Sequence, residues 1–163
     1  MSTFATMTPM RPSDSLTTAY EFDDDRARVD DDVLCGFLTT AAYWGRWRSR
    51  ETILAQLGGA WRVAGAYLAP GGPMVGYARA VSDGFALAYL ADVFVVPEHR
   101  KRGVGRSLVS FMIDEGPGRD FRWLLHTADA HGLYAEFGFS APDSTMLERA
   151  AGPGLGGRPS GDG

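Results

Sequence analysis

The stretch Tyr89–Leu108, YLADVFVVPEHRKRGVGRSL, constrains this chain more than any other. An apolar run ends at Val96-Pro97. Arg100, Lys101, Arg102, Gly103, Val104 and Gly105 follow, and a helical pattern runs on from Val104 through LVSFMID. A helix start leaves several backbone N–H groups without partners and carries partial positive charge. An anion placed there accepts those hydrogen bonds. Gly103 and Gly105 lack a Cβ, so an anion can come close to the backbone. Arg100, Lys101, Arg102 and Arg106 add positive charge around the same point, and Arg holds phosphate through two parallel bonds. The run thus suits a diphosphate. A tight strand-to-helix turn with solvated charges is the plainer alternative, and the order strand, turn, helix favours the phosphate site.

Other phosphate loops fit less well. No GxxxxGK[ST] run exists, and the third glycine of GxGxxG would fall on Leu108. Read as V-x-V-x-P-E-x-R-x-R-G-x-G, with Val93, Val95, Pro97, Glu98, Arg100, Arg102, Gly103 and Gly105, the segment resembles the acyl-CoA site of the GNAT superfamily of N-acyltransferases. The resemblance implies that the glycine turn holds the pyrophosphate of coenzyme A.

A chain of 163 residues is about one domain and long enough to bury a core. Hydrophobic content of 45% with 22% charged residues is ordinary for a globular protein. The net charge of −4 argues against general nucleic-acid binding, which needs a basic face. Cys35 is the single cysteine, so neither an internal disulfide nor a thiol-rich metal site can form. The three histidines show no metal-ligand spacing, and no metal is expected. The N-terminus lacks the apolar core of a signal peptide. The longest apolar run, Phe85–Val96, is broken by Asp92 and too short to span a bilayer. A cytoplasmic protein without membrane attachment is the expectation.

Residues 1–15 are expected to be a disordered arm, 16–149 the folded domain, and 150–163 a disordered Gly/Pro-rich tail. A first strand is read over Leu16–Phe22. Asp30, Asp31 and Asp32 suit a helix start, although the acidic run could also attract cations. Apolar positions at helical spacing predict helices after Asp30 and after Ser49. Strands follow over 61–68, 74–81 and 85–96, joined by Gly/Pro turns and therefore antiparallel. A helix over 104–114, a strand over 121–127, a short helix over 130–137 and a last strand region over 139–147 complete the pattern. The central strand and the next, joined through a helix, are parallel.

This is the GNAT order: an α/β (α+β) fold with a mixed, mostly antiparallel sheet, a splayed parallel central pair and helices on both faces. A second motif supports it. Ala130 to Phe139, AHGLYAEFGF, looks like the family's A-x-x-L-Y-x-x-x-G-F, with Thr127 where the family often has Asn. The resemblance implies acetyl-CoA as donor, its pantetheine arm pairing with the backbone of Val93, Phe94, Val95 and Val96 as an added strand does. Backbone N–H groups there would polarise the thioester carbonyl. Val104 and Arg106 share the phosphate turn. By family analogy, the Tyr134 hydroxyl protonates the departing thiolate.

Asp92 lies in an otherwise apolar strand, where an unpaired charge is costly. Period two puts it on one face with Leu90 and Phe94. A general base, an anchor for a substrate ammonium and an ion pair with an arginine from the first helices all remain open. Tyr43, Trp44 and Arg48, in the connection between those helices, could contact an acceptor with a flat or apolar body and a carboxylate or phosphate; a hydrophobic plug with solvated arginines is the alternative. The combined expectation is acetyl transfer from acetyl-CoA to a primary amine of a small molecule by direct attack in a ternary complex. Acetylation of a protein or peptide amine and a non-catalytic acyl-CoA-binding module are the alternatives. A homodimer is compatible with the family.

Overall fold

The computed structural model describes residues 19–155. The expected N-terminal arm, positions Leu16–Thr18 of the predicted first strand, and the end of the tail lie outside them. The elements are β1 (Tyr20–Asp23), α1 (Asp31–Thr40), α2 (Arg50–Gly59), β2 (Arg62–Leu68), β3 (Met74–Ser82), β4 (Leu87–Val95), α3 (Val104–Ile113), β5 (Arg122–Leu124) and α4 (His131–Ala135).

Local chemistry sets the helix ends. The Asp30 carboxylate accepts from the N–H groups of Asp32 and Val33, and the Ser49 hydroxyl accepts from that of Thr52. Arg26 donates to the carbonyls of Gly58 and Ala60 at the end of α2, at 2.7 and 2.6 Å. Arg62 donates to those of Phe111 and Met112 at the end of α3, at 2.9 and 2.7 Å. The acidic stretch is spent on similar work: Asp23 pairs with Arg28, Asp24 with Arg62, and Asp25 accepts from the Ala27 N–H.

The sheet order is β1-β2-β3-β4-β5, antiparallel except for the parallel pair β4–β5. One apolar layer, with Leu90, Val104, Leu108 and Met112, packs α3 and α4 on one face. The other, with Leu34, Leu38, Ile53, Tyr77 and Phe94, packs α1 and α2 on the opposite face. Leu34 and Leu38 of α1 and Ile53 and Leu57 of α2 are buried, while Val33, Phe37 and Leu54 are half-buried.

Two expectations need correction. The segment 139–147 forms no strand. Its Asp143 carboxylate accepts from the Thr145 N–H at 2.8 Å, an Asx turn, and Pro142 cannot donate to a ladder. Period two also fails in β4. Tyr77 pairs with Phe94 and Arg79 with Ala91, so Ala78 alone faces both Asp92 and Val93. This is a β-bulge, with Asp92 in the left-handed region at φ 54°. It sends Leu90 and Phe94 to opposite apolar layers. Among the described residues, no helix is long and apolar enough to cross a membrane.

Candidate active site

The parallel pair is short. Leu87, Ala88 and Tyr89 pair with Arg122, Trp123 and Leu124, and the ladder then stops. Beyond Tyr89, β4 has β3 as its ladder partner through Val95, with the bulge in between. A bulge bends its strand and sharpens its twist, which re-aims the chain locally. The separation of β4 from β5 thus begins immediately before the bulge.

Below the gap, β4 leads through a 3-10 turn, Pro97–His99, into the basic loop. Arg100 Nε donates to the Val95 carbonyl at 2.9 Å, which folds the loop back under the strand. Gly103 is the N-cap of α3 at φ 82°, a conformation glycine adopts without strain, and no side chain caps the helix. The N–H groups of its first turn, at Val104, Gly105 and Arg106, are left for other acceptors. A Cβ on Gly105 would meet nothing closer than Val95 Cγ2 at 3.7 Å. Protein packing therefore does not demand glycine there. Lys101 and Arg102 are exposed and form no ion pair among the described residues. Arg106 instead reaches Glu136 at 2.7 Å.

Above the bulge lies a cavity of about 620 Å³, bordered among others by Tyr43, Trp44, Arg79, Asp92, Asp129 and Tyr134. Three of the sequence candidates, Trp44, Asp92 and Tyr134, thus share one space, with Tyr43 and Arg48 on its wall. The side chain of Phe94 points away and stacks on Phe37, with centroids 4.0 Å apart.

Asp92 is fully engaged. Arg48 Nη2 donates to Oδ1 at 2.7 Å and Nη1 to Oδ2 at 2.9 Å, while Arg79 Nε donates to Oδ2 at 2.7 Å. Burial is the largest influence on this carboxyl and raises its pKa. The hydrogen bond from Arg48 and the charges of Arg79 and Arg48 outweigh it and hold the pKa below the ordinary carboxylate value. Arg48 also donates to Gln56 Oε1 at 2.7 Å. Its Nη groups point to protein partners.

Tyr134 is buried on α4, and its ring meets Phe139 edge-on at 5.8 Å. Burial, helped by the Asp129 charge, pushes its pKa up to about 12. Its hydroxyl has no hydrogen-bond partner among the described residues. No side chain caps α4; the Thr127 hydroxyl accepts from the Ala130 N–H just before it, at 3.0 Å.

Sequence reasoning missed Arg79 and the Tyr89–His126 contact, 2.6 Å from hydroxyl to Nδ1. A signal for Arg79 existed: a cation in the middle of a strand of small and aromatic residues, beside the strand that carries Asp92.

The profile of the Acetyltransferase (GNAT) family matches residues 13–139. A Xanthomonas campestris pv. campestris protein, described as a GNAT-family acetyltransferase, is 31% identical with a TM-score of 0.76, over 83% of this chain and 95% of that one. A Deinococcus radiodurans R1 protein, described as an acetyltransferase, is 22% identical with a TM-score of 0.63, over 88% and 94%. Glucosamine-6-phosphate N-acetyltransferase from Arabidopsis thaliana is 13% identical with a TM-score of 0.52, over 80% and 97%. The last two show the fold alone. No curated protein matches the sequence. The chain belongs to the GNAT family of acetyltransferases. Acetyl-CoA is the usual acyl donor in that family.

Proposed function

We propose that this protein transfers an acetyl group from acetyl-CoA to a primary amine of a small molecule, by direct attack within a ternary complex. The observation that carries this reading is the gap that opens beyond Tyr89 and Leu124, beside a cavity bordered by both Asp92 and Tyr134. The donor's diphosphate fits the uncapped first turn of α3, with Gly103, Val104, Gly105 and Arg106 supplying backbone. Arg100, Lys101 and Arg102 supply charge. The open side of Gly105 supports this, since a methyl there would obstruct a ligand but not the protein. On the side β5 has left, the pantetheine arm would pair with the backbone of Val93, Phe94, Val95 and Val96 at the groups not already engaged; the Val95 carbonyl accepts from Arg100 and the Val96 N–H donates to the Val75 carbonyl. When bound, acetyl-CoA supplies an activated acyl carbon and a thiolate leaving group.

The chain's own residues then have separate tasks. Tyr134 is protonated at neutral pH, as any tyrosine is, and with its pKa pushed up to about 12 it stays so well into the alkaline range; it gives this proton to the leaving sulfur. The new bond joins nitrogen to the acyl carbon, and the carbon–sulfur bond breaks. The proton shed by the amine balances the one sulfur takes up. Asp92 is a poor base, with three N–H donors on its two oxygens and a lowered pKa. It is a positioning residue that holds the bulge and the Arg48 loop. Tyr43 and Trp44 form the apolar rim against which the acceptor rests.

The test is incubation with acetyl-CoA and a panel of small amines, following free thiol and the mass of the product. Release of CoA with an N-acetylated product is expected. CoA binding with no turnover on any amine would replace this reading with a non-catalytic module.

A further inference from the structure

Two guanidinium groups surround one carboxylate beneath this cavity. Arg48 alone would balance Asp92, through its two parallel bonds. Arg79 is therefore one positive charge in excess, on a side chain only 12% exposed. A charge in that setting favours an anionic partner strongly, because little water screens it.

Arg79 uses only its Nε, on Asp92. Its two Nη groups have no partner among the described residues, and neither is sealed in protein, whereas the Arg48 Nε is. Arg79 borders the cavity. The end of a guanidinium presents two parallel N–H donors, the spacing that matches the two oxygens of a carboxylate. One excess charge balances a monoanion; a phosphate dianion would remain half compensated.

The other walls add to the description. Tyr43, Trp44 and Trp47 keep 58%, 37% and 40% of their surface exposed at the rim, an arrangement that leaves aromatic faces open to a flat or apolar body. On the remaining side, the exposed Asp129 carboxylate stands close enough to Tyr134 to raise its pKa. An ammonium arriving there is attracted to Asp129 and lies beside the proton donor.

We infer that Arg79 is a specificity residue that binds the carboxylate of the acceptor, and that the acceptor is an amino acid with an aromatic or flat apolar body. The inference rests on the amine-acetylation reading above for the acceptor's amine, but not for its carboxylate.

The test separates the two. Binding of 3-phenylpropanoate and of 3-phenylpropanamide to the full chain is measured by calorimetry, with no CoA present. The acid is expected to bind at least tenfold more tightly than the amide. In Arg79→Lys, which keeps the charge but loses the fork, that preference should fall several-fold, and in Arg79→Gln it should vanish. Melting curves check that both variants fold. In parallel, phenylalanine and its amide are offered with acetyl-CoA, and phenylalanine should show the lower KM. An amide that binds the wild type as tightly as the acid overturns the carboxylate site whatever the variants do, and leaves amine acetylation standing. Acid preference without acetylation of any amine keeps the carboxylate site and removes the transfer reading. Tighter binding of phenethylphosphonate than of the acid overturns the choice of carboxylate.

Discussion

Arg48 and Asp92, 44 residues apart in the chain, meet through two parallel hydrogen bonds of 2.7 and 2.9 Å with both side chains almost wholly buried. The pair joins the connection between α1 and α2 to the bulge in β4. It therefore fixes two things at once: the aromatic rim that precedes Arg48, and the left-handed turn of backbone at Asp92. Removing Asp92 strands two guanidinium charges in a dry site, which costs about 3–5 kcal/mol, whereas removing Arg48 leaves Asp92 with Arg79 as its partner. Asp92→Asn is expected to lower unfolding free energy in urea by about that amount, and Arg48→Met by less, since Arg79 still balances the carboxylate. The double variant should lose less than the sum of the two singles, because they share one interaction. Additive losses, or an Asp92→Asn cost below about 1 kcal/mol, would show that the pair is not what holds the loop.

The same pair has a pH signature. The folded pKa of Asp92 lies below its ordinary value, so the unfolded chain binds the proton first as pH falls. The stabilisation is fully present above the unfolded pKa, near 4, and is lost as pH drops through the folded pKa. Below about pH 4, wild-type melting temperature should fall more steeply than that of Asp92→Asn. Other carboxylates held low, such as Asp23 and Asp83, are common to both proteins and cancel. Parallel curves would mean that Asp92 is not the carboxylate being titrated.

Gly105 separates stability from donor binding. It sits in the first turn of α3, and a methyl group there meets Val95 Cγ2 at an ordinary 3.7 Å. Ala is favoured over Gly in a helix by up to about 1 kcal/mol. Gly105→Ala should therefore melt at the same temperature as wild type or slightly higher, while its KM for acetyl-CoA rises about tenfold or more through obstruction of the phosphate. Gly103→Ala should do the reverse on stability, losing about 1–2 kcal/mol because it forces a Cβ into φ 82°. An unchanged KM in Gly105→Ala would remove the diphosphate from this turn.

What could be read from the sequence was what short-range chemistry decides. The Asp30 and Ser49 caps and the Gly103 turn each depend on neighbours within a few residues, and their patterns appear intact in the chain. The bulge did not. Period two assigns Leu90, Asp92 and Phe94 to one face, and only the pairing with β3 reveals that Ala78 spans two residues of β4. Arg79 stood out as a cation in mid-strand, but its pairing with Asp92 depends on that register. Arg48 was read toward the acceptor because its neighbours are aromatic; the long-range pull of a buried carboxylate decides otherwise. The missing last strand is a local error, as Pro142 and the Asp143 turn were both present to be weighed.

Tyr134 yields the prediction that bears most directly on chemistry. Tyr134 borders the cavity, and its hydroxyl has no hydrogen-bond partner among the described residues; burial and the Asp129 charge push its pKa up to about 12. Tyr134→Phe keeps the packing against Phe139 and removes only the proton donor. It should lower kcat by about 10- to 1,000-fold, with little change in KM for acetyl-CoA. The wild-type kcat profile should rise with pH as the bound amine loses its proton, and should show no descending limb from this tyrosine below about pH 10. The folded pKa is raised, so the associated stability is fully present below the unfolded value near 10 and is lost as pH climbs toward 12. Wild type should accordingly lose stability relative to Tyr134→Phe in that alkaline window. A Phe variant with wild-type kcat at every pH would assign the proton to solvent and leave Tyr134 as a packing residue.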